Sequence, residues 1–83
     1  MKLKKNIAIS ESGFVFDPNS GDSFSINPIA AEIIGFIKQE KTANEIQSAI
    51  LDKYDVDTSS FEKYFYDFIN MLKQYNLLED HES

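Results

Sequence analysis

The chain has 83 residues, 42% of them hydrophobic and 27% charged, with a formal charge of −6 from eight lysines against fourteen acidic side chains. A chain of this length supports one small domain that hides roughly 60% of its unfolded surface, too little core for a second domain or a deep, walled active site. The absence of cysteine excludes disulfides, thiolate nucleophiles and Cys-based zinc sites, and fits a cytoplasmic protein.

The start, Met1-Lys2-Leu3-Lys4-Lys5, continues into Asn6-Ile7-Ala8-Ile9 without the apolar core or cleavage site of a secretory signal. No apolar run approaches the roughly 20 residues that span a bilayer, so no membrane association is expected. Every basic residue is a lysine. Without arginine's planar fork, bidentate contacts to guanine or phosphate are missing, and nucleic acid is a poor partner.

The first third of the chain alternates as strands do. Ile7 and Ile9 share one face, Glu11-Ser12-Gly13 turns the chain into Phe14-Val15-Phe16-Asp17, and Pro18-Asn19-Ser20-Gly21-Asp22 is the strongest turn signal present. A third strand, residues 23–26, completes the meander. Asn27 then caps a helix with Pro28 at its first position, and Ile29, Ile33, Phe36 and Ile37 give it an apolar stripe to about Gln39. Gly35 interrupts that helix, either because another backbone approaches closely or because the helix is simply weakened; close approach is the expectation. Thr42-Ala43-Asn44-Glu45 is a capping box that opens a second helix, with Ile46, Ala49 and Ile50 inward. Residues 55–60 end it and supply a new cap, placing a third helix from about Ser60 to Tyr75. The expected domain is single, residues 1–83, with a packed core from 6 to 79 and a polar tail at 80–83.

The third helix holds six of the chain's eleven aromatic residues. At 100° per residue, Phe61, Phe65, Phe68 and Leu72 form one narrow core stripe. Tyr64, Met71 and Tyr75 lie beside it and widen the apolar arc beyond what folding needs, which invites a partner. The rival reading is that a small domain recruits every aromatic to its core. The strand at residues 23–26 closes the meander and is a candidate edge, with free N–H and C=O groups to which a peptide could add. Asp55 and Asp57 read as a solvated turn, because the segment lacks the glycine and terminal glutamate of a calcium loop. His81 is the only histidine and lies in the tail, so no His-based triad or zinc cluster can be assembled. Gly13, Gly21 and Gly35 are too scattered for a phosphate loop.

A strand meander followed by three helices is a winged-helix-like order. Three stretches stand out: Ser25-Ile26-Asn27-Pro28-Ile29-Ala30-Ala31-Glu32-Ile33; Thr42-Ala43-Asn44-Glu45-Ile46 leading to Tyr54-Asp55-Val56-Asp57; and Phe65, Phe68, Ile69 and Leu72 running into Leu77-Leu78-Glu79. On these residues the chain resembles the PqqD family over about residues 7–79. The resemblance implies an α+β, winged-helix-turn-helix-like fold with a three-stranded antiparallel sheet followed by three helices. This is the RiPP recognition element, which binds the leader segment of a ribosomally made precursor peptide. It also implies no catalytic activity, no cofactor, and delivery of the precursor to a modifying enzyme, often a radical SAM protein.

Carried onto this chain, the resemblance places the peptide as an added strand along Ser23, Phe24, Ser25 and Ile26. Tyr64, Phe68 and Met71 line the groove, and Lys63 is available to an acidic leader residue. Phe24 and Ile26 are expected inward, with the backbone supplying the bonds. Two positions depart from the family pattern. Glu40-Lys41 replaces a common Asp-Gly between the first two helices, so that turn is expected to close without glycine's positive φ. Tyr64 falls where many relatives carry an acidic residue, and pyrroloquinoline quinone synthesis does not follow from the resemblance. Two rival functions remain: a permanent structural subunit of a larger enzyme, and a winged-helix DNA-binding regulator. The latter is disfavoured because Glu62 and Asp67 offset Lys63 and Lys73 on the third helix. Pairing of the aromatic face with a second copy, as a homodimer, stays open.

Overall fold

The alternation expected at residues 14–17 is realised in strand β3 (Phe14–Asp17), where Val15 is buried and Phe14 and Phe16 are exposed on the opposite face. The computed structural model describes residues 2–79. β3 is the centre of a three-stranded antiparallel sheet between β2 (Ala8–Ile9) and β4 (Asp22–Ser25). Ile9 and Phe24 lie opposite Val15 on the inner face, while Ala8, Ser23 and Ser25 pair with the two outer phenylalanines. The buried Asp17 organises the β3–β4 turn. Its carboxylate accepts the Asn19 N–H at 2.9 Å and the Ser20 hydroxyl at 3.2 Å, and Gly21, at φ 80°, donates its amide to the Asp17 carbonyl. Gly13 has φ 93°, and a Cβ there would lie 2.9 Å from the Ile26 carbonyl oxygen, so both angle and space demand glycine.

Helix α1 (Pro28–Lys38) starts as expected: Asn27 Oδ1 accepts the Ala30 N–H at 2.8 Å. It buries Ala30, Ile33, Ile34 and Ile37. Helix α2 (Ala43–Lys53) opens on the complete capping box, with Thr42 Oγ1 accepting the Glu45 N–H and Glu45 Oε1 accepting the Thr42 N–H. Helix α3 (Thr58–Gln74) begins two residues before the expected Ser60, because Asp57 is the cap and Ser60 supplies the N–H that Asp57 Oδ2 accepts at 3.0 Å. Phe61, Phe65, Phe68, Ile69 and Leu72 of α3 close the core over the isoleucines of α1 and α2.

Two expectations are corrected. A Cβ at Gly35 would meet nothing within 4 Å, so no backbone approaches there and this glycine only weakens α1. The turn after α1 does adopt positive φ, on a glutamate: Glu40 sits at φ 61°, its N–H donating to the Ile37 carbonyl while the Lys41 N–H reaches the Phe36 carbonyl. The end of α3 repeats this geometry with Asn76 at φ 62°, a residue that tolerates the left-handed region better.

A second, two-stranded sheet was not expected. β1 (Lys2–Leu3) pairs antiparallel with β5 (Leu78–Glu79), and both Leu3 and Leu78 are buried. The packed fold therefore reaches back to Lys2 rather than starting at Asn6. Strands of two residues carry no periodicity from which to read them. The expected tail at 80–83 lies outside the described residues. Among the described residues, no helix is long and apolar enough to cross a membrane.

Candidate functional site

The site is built from the backbone of β4 and the side chains of α3. The Ile26 N–H donates to the Gly13 carbonyl at 2.8 Å, and the Ser10 N–H donates to the Phe14 carbonyl at 2.8 Å. Strand backbones alternate their bonding side, so Phe14 and Phe16 turn their main-chain groups to β2, whereas Val15 and Asp17 turn theirs to β4. The matching residues of β4 are Phe24 and Asp22, opposite Val15 and Asp17. The amides and carbonyls of Ser23 and Ser25 are left pointing away from the sheet. β4 is an edge of the sheet order β2-β3-β4, and no hydrogen bond within the described residues outside the strand ladder uses these groups. Such an edge is a template for another strand.

α3 runs beside this edge in the opposite direction and is tied to it at two points. Near its start, the Tyr64 hydroxyl donates to Asn27 Oδ1 at 3.3 Å, the same oxygen that caps α1. Past its end, the Tyr75 ring lies 4.8 Å from the Phe24 ring. Between these ties, Tyr64 stacks on Phe68 with nearly parallel planes, 6.2 Å between centroids. Phe68 is buried, while Tyr64 and Met71 are half-buried against the core. Phe24 and Ile26 are half-buried on the inner face, as expected, and the outward main-chain groups belong to the two serines. Lys63 is exposed beside Tyr64. Two features escaped sequence reasoning: the Asn27–Tyr64 tie and the Phe24–Tyr75 contact. Both join residues far apart in sequence, and only Tyr75's place beside the aromatic stripe pointed toward it.

The displaced titrations lie in structural roles. The Glu32 carboxyl is held below its usual value chiefly by the Tyr54 hydroxyl and then by the Lys53 ammonium at 3.0 Å, a tie between α1 and the end of α2. The Asp57 carboxyl is lowered by the Ser59 hydroxyl and the Ser60 amide, and Glu45 by the Thr42 amide, both as helix caps. The β4 edge and the flank of α3 offer main-chain hydrogen-bonding groups, aromatic rings and a thioether, a chemistry suited to binding an extended peptide.

A three-stranded antiparallel sheet with an open edge, followed by three helices that close one core, defines a winged-helix-like α+β domain. Two solved structures share this fold. One, described as TbiB1 in complex with the TbiA(beta) leader peptide, superposes with a TM-score of 0.85 at 24% identity and full coverage of both chains. The other, a lasso peptide synthetase B1 complexed with the leader peptide, gives 0.80 at 18% identity and covers 94% of this chain and 95% of its own. No functionally curated protein matches the sequence. Residues 13–78 match the family described as Coenzyme PQQ synthesis protein D (PqqD), and the chain belongs to that family.

Proposed function

We propose that this protein is a non-catalytic peptide-binding module that captures the leader segment of a ribosomally made precursor peptide and presents it to a modifying enzyme. The observation that carries this reading is the outer edge of β4, at Ser23 and Ser25, to which α3 is joined by the Phe24–Tyr75 ring contact and the Tyr64–Asn27 hydrogen bond. An added strand gains affinity from main-chain bonds to the serines and specificity from side chains that enter the groove on the Phe24 face. Lys63, exposed and next to Tyr64 in sequence, is available to an acidic leader residue. The fold neighbours support the reading because both were solved with leader peptides. The family resemblance suggests a radical SAM protein as the receiving enzyme.

The test is an amide chemical-shift titration of the labelled protein with leader peptides encoded by short reading frames beside its gene. Saturable shifts concentrated at residues 23–26 and 64–71 are expected. Saturable binding with its shifts elsewhere overturns the strand-addition site, and no binding to any neighbouring peptide overturns the function.

A further inference from the structure

Charge is distributed unevenly over this acidic chain. Lys2, Lys4, Lys5 and Lys38, half of all its lysines, line one cleft of about 180 Å³ between β1 and the C-terminal end of α1. Glu40 and Glu79 stand at the same cleft, and Lys2 lies 3.9 Å from Glu40. Lys4, Lys5 and Lys38 form no ion pair within the described residues, although the rest of the described chain carries ten of the fourteen acidic residues. Like charges gathered in one cleft repel one another, and a neighbouring anion relieves that repulsion.

We infer that this cleft is a second docking site, which takes the carboxylate side chains of a short acidic segment of another protein. The cleft's size fits one or two carboxylates rather than a folded surface. Lysines meet such groups as mobile point charges and demand no fixed bidentate geometry, which suits the carboxylates of a flexible segment. The remaining surface is strongly acidic and repels a long polyanion, so a nucleic acid strand continuing past the cleft is disfavoured. α1 separates this cleft from the β4 edge: Asn27 caps the end beside the groove and Lys38 lies in the last turn, about 16 Å along the axis for an 11-residue helix. Peptide on β4 and an acidic segment at the cleft can therefore be held together, and the inference stands whether or not β4 binds a leader.

The probe is an oligoglutamate peptide titrated into the labelled full chain at low salt. Saturable shifts are expected at residues 2–5 and at Lys38, with affinity falling about tenfold or more at physiological ionic strength, where screening acts within about 8 Å. Lys4→Gln combined with Lys38→Gln should remove these shifts, and an unchanged melting temperature shows that the variant still folds. A charge-neutral control, oligoglutamine, should leave the spectrum unmoved. Several results overturn the inference: no saturation by oligoglutamate, shifts that survive the double substitution, or equal affinity for inorganic phosphate or oligothymidylate. Binding that appears only after residues 80–83 are deleted overturns it too, because the chain's own carboxylates would then be the occupant.

Discussion

α1 and α3 are both amphipathic, yet they relate differently to the core. α1 presents four small or branched side chains, Ala30, Ile33, Ile34 and Ile37, all buried, with Ile29 and Phe36 half-buried against the same cluster. α3 is six residues longer and buries five; besides Tyr64 and Met71, half-buried on its flank, it leaves the Tyr66 ring exposed, whereas α1 exposes no large apolar side chain. The difference leaves apolar area on α3 that packing does not use, on the helix where the proposed binding site lies.

Truncating the inner stripes should unfold the protein whichever helix is chosen. Phe65→Ala is expected to cost about 3–5 kcal/mol and Ile34→Ala about 2–5 kcal/mol in denaturant melts, because both side chains are fully enclosed. A loss below 1 kcal/mol at either site would break the comparison. On the flank of α3 the effects should divide the other way. Tyr64→Ala with Met71→Ala should weaken leader-peptide binding by about tenfold or more, read by calorimetry, while the far-UV spectrum is retained. Smaller effects sharpen the contrast within α1. Gly35→Ala should raise stability by about 1 kcal/mol, since the added methyl meets open space and restores helix propensity. Glu40→Gly should add some tenths of a kcal/mol, the relief of left-handed strain being partly offset by chain entropy, and Asn76→Gly should add less.

Acid should act on the carboxylates held below their usual values, Asp57 and Glu45 at helix caps and Glu32 between α1 and α2. Asp57 and Glu45 have folded-state values below those of the unfolded chain, so the stability they contribute is fully present above the ordinary carboxylate range and is lost as pH falls through their lowered values. Melting temperatures followed from about pH 6 to pH 3 should decline, and Asp57→Asn should flatten part of that slope. An unaltered slope would assign the acid sensitivity to other carboxylates.

Local chemistry made most of the fold legible. Asn27-Pro28 and Thr42 to Glu45 announced two helix starts because a cap is satisfied within four residues of sequence. The aromatic stripe of α3 was readable for the same reason, its period being set by the helix itself. The sequence narrows the cap of α3 only to residues 55–60, because several adjacent residues there are competent caps and competition among them is decided by packing. The pairing of β1 with β5 left no trace, since two-residue strands show no alternation. Of the candidate site, the edge position of β4 and the half-burial of Tyr64 and Met71 beside the core stripe were legible. Which main-chain groups point outward was not, because bonding side depends on the register between β3 and β4 and alternates with every residue.

The ladder that places Lys2 opposite Glu79 also has a topological consequence. Both ends of the described fold leave it on neighbouring strands, about 5 Å apart by strand spacing. A domain with adjacent ends can be spliced into a surface loop of a larger protein with short connectors and little disturbance to its host. The same adjacency suits the domain to circular permutation, with residue 79 joined to residue 2 and new ends opened in an exposed turn. Such a rearranged chain would keep the β4 edge and its groove while presenting them from a different point of attachment.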